Sequence, residues 1–98
     1  MKNKDYSVLF GKTNAAKKLA GYLEQCTNKE QEKVCKIWNV FNKGFNQINE
    51  LKFYKKNFKL LWVKDFERRI SESDISTLSK DLLLNIITAK YRQSLKEK

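Results

Sequence analysis

The sequence predicts an all-α fold, a compact three- to four-helix bundle, on three observations. Proline is absent and glycine occurs three times, so the chain lacks the turn residues that a sandwich or barrel needs. Apolar residues recur at steps of three and four along four stretches. Hydrophobic residues make up 41% and charged residues 33%, a balance that buries a core rather than leaving a disordered chain. At 98 residues the chain has room for one helical domain, spanning 1–98, with a modest core.

Residues 1–12 carry no helical period and are expected to be poorly ordered or extended. The apolar run Val8-Leu9-Phe10 is too short for the core of a signal peptide. No stretch approaches the roughly 20 apolar residues of a membrane span. Both observations suggest a cytoplasmic protein.

The first helix is expected over 13–26. Thr13 is its N-cap, and Ala15, Ala16, Leu19, Leu23 and Cys26 form its apolar side, with Gly21 an interior weak point. The second covers 28–49. Thr27-Asn28-Lys29-Glu30 has the form of a capping box, in which the threonine oxygen and the glutamate carboxylate each satisfy an orphan amide of the other residue. Val34, Ile37, Trp38, Phe41, Phe45 and Ile48 make the cleanest stripe in the chain, interrupted by Gly44.

The third helix is expected over 50–70, with Leu51, Tyr54, Phe58, Leu61 and Trp62 on one side. The apolar run Leu60-Leu61-Trp62-Val63 also suits a strand. The helical reading is preferred because residues 64–69 continue with helix formers, while Phe66 and Ile70 keep a four-residue step. Ser71-Glu72-Ser73-Asp74 is a stop-and-restart signal with Ser73 or Ser71 as the next N-cap. The fourth helix follows over 74–95, with Ile75, Leu78, Leu82, Ile86 and Tyr91 in its stripe and Leu83 and Ile87 widening it. The core is expected from the second, third and fourth stripes.

The residues argue against an enzyme. Histidine, the commonest general acid–base group, is absent. The carboxylate pairs Asp65/Glu67 and Glu72/Asp74 stand two residues apart and point to different sides of a helix. Gly11-Lys12-Thr13 matches the tail of a phosphate-binding loop, but Tyr6 stands where the first glycine belongs and no room remains for the supporting sheet. No glycine-bearing turn marks a helix-turn-helix. Cys26 and Cys35 read as reduced thiols, and no metal or cofactor is expected.

What remains is charge. The chain carries a net +10, from 18 lysines and three arginines (Arg68, Arg69 and Arg92) against 11 acids. An AT-rich genome produces Lys and Asn without selection, so part of the excess is compositional. It is nonetheless uneven. Residues 37–70 hold eight basic and three acidic residues, whereas 71–98 hold five and four. Lys52, Lys55, Lys56 and Lys59 share one helix face, followed by Lys64, Arg68 and Arg69, with Phe53 beside them. A line of ammonium groups suits phosphates or an acidic groove. The expected function is therefore a non-enzymatic nucleic-acid or nucleoprotein-binding regulator that uses this face. The alternative is a protein–protein interaction module, such as an inhibitor, immunity-type protein or small subunit, docking on an acidic protein. In the alternative, exposed aromatics would serve as anchors. A second copy completing so small a core, as a homo-oligomer, is also compatible with the sequence.

Overall fold

The structure is a computed structural model that describes residues 9–50 and 55–96, the second segment by its side chains from 57 onward. These residues form four α-helices: α1 (Asn14–Glu24), α2 (Asn28–Asn49), α3 (Lys55–Glu72) and α4 (Thr77–Lys96). No strand occurs among them, and 60–63 is helical. A radius of gyration of 13.5 Å is near the roughly 13 Å of a folded chain this long.

α1 packs chiefly on α4, α4 on α3 and α3 on α2, so each helix has a principal neighbour. The core is continuous. Val34, Trp38, Phe41 and Phe45 of α2 meet Val63, Phe66 and Ile70 of α3 and Leu82, Leu83, Ile86 and Ile87 of α4. α1 adds Ala16, Leu19, Ala20 and Leu23, so the core draws on all four helices rather than on three. The expectation for residues 1–12 is corrected at its end. Leu9 and Phe10 are helical, Phe10 is 2% exposed, and its ring meets Trp38 edge-on at 5.7 Å. Trp38 Nε1 donates to the Leu9 carbonyl at 2.8 Å, which fixes the segment to α2.

The caps explain the boundaries. Thr13 and Thr27 accept hydrogen bonds from the amides of Ala16 and Glu30, at 3.1 and 3.2 Å. Gln31 Nε2 donates to the Leu23 and Cys26 carbonyls and so closes the end of α1 from α2. α3 runs past Ser71 because Ser71 and Ser73 bond back to the Glu67 and Ile70 carbonyls instead of capping forward. Ser76 starts α4, its hydroxyl accepting from the Ser79 amide at 3.2 Å.

The capping box forms only in part. The Glu30 carboxylate is taken by a different helix: its Oε2 accepts from the Ser76 amide at 2.9 Å and from the buried Ser79 hydroxyl at 2.7 Å. Tyr22 of α1 donates to the Ser76 hydroxyl at 2.9 Å, so three helices meet at the head of α4. Partial burial alone would raise the Glu30 pKa. The bonds from Ser79 and Ser76, with the Lys33 ammonium nearby, outweigh it and hold the carboxyl below its ordinary value of 4.5. A lowered folded-state pKa means stability that is present above the unfolded value and lost as pH falls through the folded one. Glu30→Ala is expected to cost about 2 kcal/mol at neutral pH. It should also flatten the decline in stability below about pH 4.5, as read by urea unfolding across pH. An unchanged acid limb would contradict the assignment.

Candidate partner-binding surface on the third helix

The burial pattern sets the rotation of α3. Lys59, Val63, Phe66 and Ile70 lie at steps of four, three and four, and all are buried. Trp62 is half-buried beside this line, where its Nε1 donates to the Phe41 carbonyl at 3.0 Å and its ring stands 4.9 Å from that of Phe66. Gly44 of α2 makes the space. A Cβ there would lie 2.8 Å from the Trp62 ring atoms Cε2 and Cη2. The glycine is thus a notch for an indole. Gly44 beside Trp62, and Lys33 bonded to Asp74 at 3.1 Å, place α2 and α3 side by side and antiparallel.

This rotation corrects the side assigned to Phe58 and Leu61, which are not core. Phe58 is 42% exposed, Leu60 40% and Leu61 62%. Lys64, Arg68 and Arg69 are exposed with them. α3 is apolar almost all the way round between 58 and 63, so spacing alone fits two rotations, and the Trp62–Gly44 fit selects one.

The basic face takes a different form from the one expected. Lys52 and Phe53 lie outside the described residues, and Lys55 and Lys56 occupy the first turn of α3. Lys59, expected to point outward with them, is 3% exposed, with its Nζ 5.8 Å from the centroid of the Phe45 ring. Its long stem lies along the apolar meridian, which a lysine tolerates better than any short charged residue. Arg68 and Arg69 share one carboxylate: Nη2 of the first lies 3.0 Å, and Nε of the second 2.8 Å, from Asp65. The Arg69 guanidinium also sits 5.0 Å from the Phe66 ring centroid. Lys64 and Arg68 follow Leu61 about one and two turns further along the outer side of the helix by spacing.

Sequence reasoning missed a second basic line. Lys29, Lys36 and Lys43 are exposed on α2 at seven-residue steps, roughly 10 Å apart along the axis, and none is in an ion pair among the described residues. Their spacing opposite the Val34–Phe45 stripe was the available signal.

Among the described residues no three His, Cys, Asp or Glu side chains gather closely enough to hold a metal ion. Nor is any helix there long and apolar enough to cross a membrane. The fold and this surface together define a small four-helix protein with an apolar and cationic outer face. Comparison with protein-family models, with curated proteins and with solved structures finds no match to the chain.

Proposed function

We propose that the chain is a non-enzymatic interaction module that docks on an acidic protein through the outer face of α3. The observation that supports this reading most is the set Phe58, Leu60 and Leu61. Three large apolar side chains stand out within one turn, and water contact there is unfavourable by about 25 cal/mol for each Å² left uncovered. Apolar anchors inside a charged rim are the usual composition of a protein interface. Lys64 and Arg68 add positive charge at the C-terminal end of this set, which selects an acidic partner and speeds its encounter. A second copy of this chain is disfavoured as the occupant, because each copy carries +10.

The test pairs Phe58→Asp with Leu61→Asp in one chain. Both residues are exposed, so the thermal unfolding midpoint is expected to stay within a few degrees of the parent. An acidic protein that copurifies with the parent, identified by mass and reconstituted as a pure pair, should bind the variant at least about 100-fold more weakly. Equal affinity for parent and variant would overturn the reading.

A second reading, binding of nucleic acid, is favoured by Lys29, Lys36 and Lys43 on α2 rather than by α3. It requires an affinity for DNA or RNA that falls steeply with salt, and its loss when those three lysines become glutamate.

A further inference from the structure

We propose, resting on the α3 reading above, that the docking face carries a carboxylate-reading fork: Arg68 and Arg69, gathered around Asp65, grip an Asp or Glu side chain of the acidic partner. Among 21 basic residues three are arginine, and two of those three are neighbours here. A surface that needs positive charge alone is served by lysine, which the chain uses 18 times, so its compositional bias does not explain the pair. Position points the same way. Arg68 follows Leu61 by seven residues, as Asp65 follows Phe58, which is about two turns or roughly 10 Å along the axis. The charged trio therefore continues the line of the exposed apolar side chains.

One carboxylate holds both guanidiniums. Arg68 donates from Nη2 to Asp65 Oδ1 at 3.0 Å, and Arg69 donates from Nε to Oδ2 at 2.8 Å. The Asp65 side chain is 29% exposed against 68% and 56% for the arginines, so the carboxylate lies low and the guanidiniums open to solvent. The Phe66 ring, 5.0 Å away, steadies Arg69 from beneath. Each guanidinium spends one nitrogen on Asp65. Both Nη groups of Arg69, with Nη1 and Nε of Arg68, make no other hydrogen bond among the described residues. Two N–H groups on one guanidinium edge match the two oxygens of a carboxylate. The trio carries two positive charges and one negative, so a single incoming carboxylate neutralises it, whereas a phosphate dianion leaves negative charge in excess. Side chains already held in place lose less freedom on binding. Exposed ion pairs within a helix add little to stability, so the fold itself does not call for arginine at 68 and 69. The partner is thereby defined further: it presents a carboxylate roughly 10 Å from the apolar residues that meet Phe58 and Leu61.

The test titrates the full chain with a capped, labelled oligoglutamate peptide. Three arginines give three side-chain Nε–H signals in a proton–nitrogen correlation spectrum. Arg92 of α4, exposed and in no ion pair among the described residues, is the internal control. The Arg68 and Arg69 signals should saturate together, at a peptide concentration at least about fivefold below that for Arg92. Arg68→Lys combined with Arg69→Lys keeps the net charge, and both positions are exposed. By fluorescence anisotropy that variant should bind the peptide at least about threefold more weakly than the parent, and Arg92→Lys less than about twofold more weakly. Three results would each overturn the proposal: Arg92 responding at the same concentration as the pair, equal affinity for the double variant and the parent, or a phosphoserine peptide of equal net charge saturating the pair at the lower concentration. Failure here leaves apolar docking through α3 standing, because oligoglutamate has no apolar side chain to seat on Phe58 and Leu61. That reading falls separately, with the Phe58/Leu61 double variant.

Discussion

Replacing Phe41 with alanine is expected to remove about 3–5 kcal/mol of stability, most of the margin of a domain this size. Its side chain is fully buried at the centre of the aromatic cluster, with ring centroids 5.8 Å from Trp38, 5.3 Å from Phe45 and 5.4 Å from Phe66. Those neighbours are themselves engaged: Trp38 bonds to the Leu9 carbonyl, and Phe66 packs on the Trp62 ring of its own helix. They have little freedom to collapse into the space left behind, which places the cost at the upper end for a large-to-small change. Urea unfolding of the purified chain measures it. A loss below about 1.5 kcal/mol would mean that the cluster relaxes and that α2 and α3 are not held by it.

The second large effect concerns a change of one methyl group. Alanine for glycine inside a helix ordinarily stabilises by up to about 1 kcal/mol. At Gly44 the sign should reverse, with a net loss of about 1–3 kcal/mol, because the added Cβ enters the Trp62 ring. The indole is not free to slide, since its N–H is bonded to the Phe41 carbonyl and its ring is set against Phe66. A double-mutant cycle isolates the contact. Trp62→Ala alone should be strongly destabilising. In that background Gly44→Ala should become neutral or mildly stabilising, leaving a coupling on the order of 2 kcal/mol. A penalty for Gly44→Ala that persists without the indole would show that the notch is not the cause.

The all-α class was legible in the sequence, as were the extents of α1 and α2 and their threonine caps, because each rests on contacts within a few residues. The rotation of α3 was not. Residues 58–63 are apolar on nearly every side, and only the fit of Trp62 into a glycine on another helix decides between the alternatives. Glu30 illustrates the same limit. Its position in a capping box was visible, but two serines 46 and 49 residues away claim the carboxylate. Lys59 followed from the same error of rotation, for a lysine on an apolar meridian looks like surface until that meridian is known. Of the candidate site, Lys64, Arg68 and Arg69 are exposed as expected, whereas Phe58 and Leu61, exposed beside them, had been assigned to the core.

The most direct test of the account is a photoreactive residue placed at Leu61 in one chain and at Lys36 in another, each irradiated with the reconstituted acidic partner. Crosslinking from position 61, suppressed at high salt and absent from position 36, is the predicted result. Efficient crosslinking from position 36 with none from position 61 would contradict docking through α3.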